Sequence, residues 1–203
     1  MKLFLTSNAY QTLDLITPLL PTYPPQMTVA FIPTAADMYD TALWMERDRK
    51  KLQEMGFIVF DIPLKDTPER LLRKELSGVD CIFVAGGNTF YLLEHAQKSG
   101  FTTVARELVQ KGVIYIGSSA GSVLAGPNIE PVKVFDDPDI AQLDSYTGLG
   151  FVDFIALPHY VSGDSTYKKV IEDYKGKYTF VPLSNEQAVI ATEKGHEIIS
   201  SKP

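Results

Sequence analysis

The sequence predicts an α/β protein built on an open, mostly parallel sheet with helices on both faces. Two observations predict it. The short β-type runs are near-continuously apolar, as in strands covered on both sides. Between them lie amphipathic stretches with helix start and stop signals, and repeated strand–helix alternation implies a parallel sheet.

Taken in order, the predicted strands are Lys2–Thr6, Thr28–Pro33, Phe57–Ile62, Asp80–Ala85 and Val113–Gly117. Met38 to Met55 reads as a helix closed by Gly56, and its run Glu46-Arg47-Asp48-Arg49-Lys50-Lys51 reads as a solvated face. Thr67 as cap and Pro68 at the first helical position predict a helix to about Leu76. Asn88 caps a helix reaching Gly100, and another is expected from Thr103 to Gly112 with Val104 and Leu108 inward. Pro127, Pro131 and Pro138 punctuate a loop-rich segment after Gly121. Val152–Leu157 is then expected as a buried strand and Ser165–Tyr174 as a helix. The C-terminus reads as a β-meander: Thr179–Leu183, Gln187–Thr192, a turn at Glu193-Lys194-Gly195, and His196–Ser200. With no repeat or linker, residues 1–203 are expected to form a single domain.

Composition narrows the function. Hydrophobic residues at 45% and charged residues at 22% suit an ordinary globular chain with one well-filled core. A formal charge of −6 argues against a nucleic-acid or anionic-membrane partner, since either wants a basic face. The lone cysteine, Cys81, sits in an apolar run and is expected to be a buried, inert thiol. The apolar start is too short for a secretory signal, so the cytoplasm is the expected location. Neither H-E-x-x-H nor a cysteine/histidine cluster is present, and no metal or cofactor is expected.

The sharpest chemical feature is Gly117-Ser118-Ser119-Ala120-Gly121, directly after a predicted strand. It matches G-x-S-x-G, in which a serine sits on a strained strand-to-helix turn at the carboxyl edge of the sheet. Ser119 is the candidate nucleophile; Ser118 and Ser122 are off-centre neighbours. A second loop, Ala85-Gly86-Gly87-Asn88-Thr89, ends another strand, and its backbone can approach a ligand closely. A serine needs a base. Of three histidines, His95 falls mid-helix and His196 beside a turn, whereas His159 follows a strand's carboxyl end in Leu157-Pro158-His159-Tyr160. His159 is therefore the candidate general base. The residue orienting it stays open among Asp136, Asp137, Asn185 and Glu186.

Together, Phe83-Val84-Ala85-Gly86-Gly87-Asn88-Thr89-Phe90, Tyr115-Ile116-Gly117-Ser118-Ser119-Ala120-Gly121 and Pro158-His159 resemble the dipeptidase E (peptidase E, aspartyl dipeptidase) family over essentially the whole chain. The resemblance implies a flavodoxin-like fold of the class I glutamine amidotransferase type. It implies a serine peptidase of small peptides working through an acyl-enzyme, as a monomer or small homo-oligomer. Ser119 would be the nucleophile and His159 the base, with Gly86, Gly87, Asn88 and the Ala120 N–H at the oxyanion. Family members place the triad acid after the nucleophile, where Asp137 is the match, or as a glutamate near the C-terminal meander, where Asn185 stands beside Glu186. Members that cleave after N-terminal aspartate carry an arginine-containing segment after the histidine. Thr166-Tyr167-Lys168-Lys169 stands here instead, and lysine supplies charge without a bidentate fork. Two other readings share parts of the pattern: a serine esterase, which usually needs a longer chain, and a small-molecule sensor that keeps the pocket without turnover.

Overall fold

A computed structural model describes residues 1–202. Its strands are β1 (Lys2–Thr6), β2 (Thr28–Ile32), β3 (Ile58–Asp61), β4 (Cys81–Val84), β5 (Ile114–Ser118), β6 (Phe154–Leu157), β7 (Thr179–Pro182), β8 (Gln187–Thr192) and β9 (Gly195–Ser200). Its helices are α1 (Ala9–Thr12), α2 (Leu43–Glu54), α3 (Glu69–Glu75), α4 (Thr89–Lys98), α5 (Phe101–Gln110), α6 (Ala120–Leu124) and α7 (Ser165–Asp173). Seven strands form one sheet in the order β3-β2-β4-β5-β1-β8-β9. Pairing is parallel from β3 through β1, and β8 and β9 join antiparallel.

Alternating side chains serve two cores. Ala30, Ile82 and Tyr115 face a cluster under α3 to α6, while Phe31, Phe83 and Ile116 face a second under α1 and α2. Phe31 and Phe83 stack there with centroids 4.8 Å apart. Burial on both faces explains why the strands read as unbroken apolar runs. Cys81 is wholly buried, and that burial pushes its thiol up to about 12.

Several boundaries differ from expectation. The second helix begins at Leu43 rather than Met38: the chain first makes a 3-10 turn at Thr34–Ala36 and then a further turn in which the Tyr39 N–H donates to the Ala36 carbonyl. Pro68 caps the third helix with extended backbone, and Thr67 turns back to donate to the Pro63 carbonyl. The three C-terminal strands follow one another as read. However, only β8 and β9 extend the main sheet; β7 leaves it to pair in parallel with β6. That separate pair carries His159 at its end and brings it over the main sheet's rim.

Two glycines let α6 pack directly on the sheet. A Cβ at Gly121 would stand 2.2 Å from the Val84 carbonyl oxygen, and one at Gly117 2.6 Å from the Gly121 carbonyl carbon. Gly121→Ala should destabilise by about 1–3 kcal/mol as an overpacked site. At roughly 2–4 °C per kcal/mol for a chain of this size, thermal unfolding should show the fall directly.

Candidate active site

β5 delivers Ser119 to the rim. At Ser119 the backbone turns sharply, with φ 48° and ψ −107°, unusual for a non-glycine residue. The turn is fixed from β1: the Ser119 N–H donates to the Thr6 carbonyl at 2.9 Å, and the Ser122 hydroxyl donates to the same carbonyl at 2.8 Å. The Tyr115 hydroxyl holds the next turn by donating to the Gly121 carbonyl at 2.7 Å.

His159 leaves β6 at φ 58°, another left-handed conformation. Its N–H donates to the Ser7 hydroxyl oxygen at 2.7 Å, which anchors the turn to the end of β1. Its Nε2 lies 2.9 Å from Ser119 Oγ, and its Nδ1 lies 2.7 Å from Asn185 Oδ1. The Ser7 hydroxyl donates to the same Asn185 oxygen at 3.2 Å. An amide oxygen only accepts, so Nδ1 carries the proton and the Nε2 lone pair faces the serine hydroxyl.

The four candidates for that orienting position separate cleanly. Asn185 occupies it. Asp137 does not: its carboxylate accepts from the Asp139 N–H at 2.9 Å, closing its own turn, and its carbonyl accepts from the Asn88 side chain. Asp136 accepts from the Thr89 N–H at 2.9 Å and from the Thr89 hydroxyl, capping α4. Burial raises its pKa, against those hydrogen bonds and the nearby His159. Glu186 pairs with Lys202 at 3.1 Å. Of the other histidines, His95 packs on Tyr91 along α4, and exposed His196 packs on Phe154.

The glycine loop meets the serine as expected at Gly86, where a Cβ would stand 3.1 Å from the Ser119 Cβ. Gly87, at φ 150°, is pressed against the Ala35 carbonyl, and a Cβ there would stand 2.0 Å from it. Asn88 plays a structural part. Its N–H donates to the Ala35 carbonyl, its side-chain oxygen accepts from the Phe90 and Tyr91 N–H groups, and its amide nitrogen donates to Asp137. Ala120 opens α6 beside Ser119, and the first N–H groups of a helix lack partners within it.

Two cavities flank the serine and histidine. A polar cleft of about 480 Å³ is lined by Tyr39, Trp44, Arg47, Asp48, Ser118 and Asp136, among others. A smaller one of about 120 Å³ lies towards α7. The cleft corrects the expectation that residues 46–51 form a solvated face: Arg47 and Asp48 line it, and Asp48 is only 3% exposed. The Trp44 indole N–H reaches the Gly86 carbonyl at 3.2 Å, so this helix also holds the glycine loop. The sequence signal was available, since Trp44 and Asp48 share one face at i and i+4.

A serine on a strained strand-to-helix turn, hydrogen-bonded to an imidazole on the carboxyl rim of a mostly parallel sheet, defines an α/β serine hydrolase. The chain belongs to peptidase family S51, whose model matches residues 3–199, and it is a serine peptidase. An uncharacterized peptidase of Listeria monocytogenes serovar 1/2a is 33% identical over 206 residues, spanning 99% of this chain and 98% of the relative. Peptidase E of Streptomyces coelicolor is 33% identical over 178 residues, 83% of this chain and 68% of that protein. A crystal structure from Listeria monocytogenes EGD-e, 31% identical, superposes with a TM-score of 0.90 over 98% of both chains.

Asp48 makes a pH prediction. Burial raises its carboxyl to about 7, opposed by hydrogen bonds from the Ser118 hydroxyl and the Tyr10 N–H. The folded state therefore binds this proton more tightly than the unfolded chain. Its contribution to stability is full below about pH 4 and is lost as pH rises through about 7. Asp48→Asn should leave the melting temperature near wild type at pH 4 and raise it above wild type at pH 8. A difference independent of pH would contradict the assignment.

Proposed function

We propose that this peptidase hydrolyses small peptides through Ser119 as nucleophile, His159 as general base and Asn185 as the group that orients the imidazole. The 2.9 Å contact between Ser119 Oγ and His159 Nε2 carries the proposal. It lies within the reach required for proton transfer.

The course is acyl transfer. Ser119 Oγ attacks the scissile carbonyl carbon as its proton passes to His159 Nε2. The developing oxyanion is met by backbone N–H groups of the Gly86-Gly87 loop and of Ala120. The C–N bond then breaks, and the imidazolium returns the proton to the leaving amine. Water, deprotonated by the same imidazole, attacks the acyl-enzyme and frees Ser119.

Asn185 gives this triad a particular character. A neutral amide oxygen fixes the tautomer and the ring, as a carboxylate does, but it adds no negative charge beside the imidazolium. Asn185 thus holds the imidazole in place without adding charge, and the carboxylate near it is that of Asp136.

Steady-state hydrolysis of unblocked dipeptides tests these roles. Ser119→Ala and His159→Ala should each lower kcat by about 10³-fold or more. Asn185→Ala should cost at least about ten-fold in kcat/KM, some 1.4 kcal/mol of transition-state stabilisation. Asn185→Asp should keep activity and shift the acid limb of the pH–rate profile to higher pH, because a carboxylate raises the basicity of the imidazole. An unmoved acid limb would remove Asn185 from the mechanism.

A further inference from the structure

The smaller cavity is built for an apolar side chain. It is lined by Val123, Val132 and Leu157, which are almost wholly buried, by buried Tyr167 and by exposed Phe135. The two rings stack with centroids 4.5 Å apart, and the Tyr167 hydroxyl is already spent on the Pro158 carbonyl at 2.8 Å. Ser119 and His159 line it as well. A dry cavity of about 150 Å³ lined by aliphatic and aromatic groups holds a benzene ring. At about 120 Å³ this one suits a single branched aliphatic side chain.

Its charge is wrong for an acidic side chain. Among the described residues no lysine or arginine lines it, and the carboxylate of Asp136 does. The lysines of α7 point elsewhere: Lys169 pairs with Asp173 at 2.8 Å on the exposed face, and neither Lys168 nor Lys169 lines a cavity beside Ser119. A carboxylate entering here would lose its water and meet a like charge.

The two cavities also orient a peptide. Arg47, in the wide cleft, is the one arginine or lysine lining either cavity among the described residues. A substrate's terminal carboxylate belongs on that side. Asp136 lines both cavities, at their junction beside Ser119, where an ammonium next to the scissile carbonyl would lie.

The geometry points to a selective acyl-side pocket: this peptidase accepts an N-terminal residue with a small branched aliphatic side chain, held by Val123, Val132, Leu157, Phe135 and Tyr167, and rejects N-terminal aspartate. The inference rests on Ser119 being the nucleophile and agrees with the sequence after His159, where Thr166-Tyr167-Lys168-Lys169 stands in place of the arginine-containing segment of members that cleave after aspartate. Asp136 receives the α-ammonium of the same residue.

Two measurements test it, one of them independent of turnover. In hydrolysis, Val-Ala and Leu-Ala should exceed Asp-Ala and Trp-Ala in kcat/KM by at least about ten-fold, the discrimination that a one-methylene misfit gives. Phe135→Ala, which trims an exposed wall, should shift the preference towards Phe-Ala and Trp-Ala. In calorimetric titration of the Ser119→Ala protein, Leu-Ala should bind at least about ten-fold more tightly than Asp-Ala, a difference of some 1.4 kcal/mol. Asp136→Asn in that background should weaken Leu-Ala and leave N-acetyl-Leu-Ala unchanged. Tighter binding or faster cleavage of Asp-Ala would overturn the inference, as would a preference that Phe135→Ala does not move. If wild type cleaves no dipeptide while the Ser119→Ala protein still prefers Leu-Ala, the proposed mechanism fails and the pocket stands.

Discussion

The site depends on one constraint: α6 must pack against β4 and β5 with no side chain between. Gly117 and Gly121 allow that approach, and each place where a Cβ would collide is backbone rather than a movable side chain. The helix therefore starts immediately after the strand, and Ser119 has to absorb the reversal in its own dihedrals. A strained residue persists only where its surroundings over-determine it. Here β1 does so through Thr6, whose carbonyl is shared by the Ser119 N–H and the Ser122 hydroxyl. A hydroxyl presented this way is aimed before any substrate arrives, and pre-aimed groups need no reorganisation during reaction.

The partner arrives by a different route. His159 is carried by the β6–β7 pair, outside the main sheet, and is tied back through Ser7 and Asn185. Ser7 links the two halves of the site: it accepts from the His159 N–H and donates to Asn185 Oδ1. The end of β1 thus holds both the Ser119 turn, through Thr6, and the His159 turn, through Ser7. Asn185 sits in the loop between β7 and β8, so the order of the C-terminal strands decides what reaches Nδ1.

Much of this was legible in the sequence because its determinants are local. Apolar runs, the glycine-flanked serine and the proline–histidine at a strand's end each carry their meaning within a few residues. The orienting residue was less legible, since four polar loop residues competed and only their burial and partners distinguish them. Asp137 had the right chain position after the nucleophile, but its own turn claims its carboxylate. Asn88 looked like a ligand-facing residue because a helix cap and a binding loop share the same sequence pattern. Arg47 and Asp48 were hidden inside a charge run whose other members, such as Arg49 with Glu46 and Asp61, do form a surface network. Separating the two sets required knowing which way α2 faces.

The sharpest test of the account is peptide mapping by mass spectrometry after reaction with a fluorophosphonate. A single adduct is expected, on Ser119, and its formation should slow when His159 is replaced by alanine. An adduct on Ser118 or Ser122, or none on the folded protein, would contradict it.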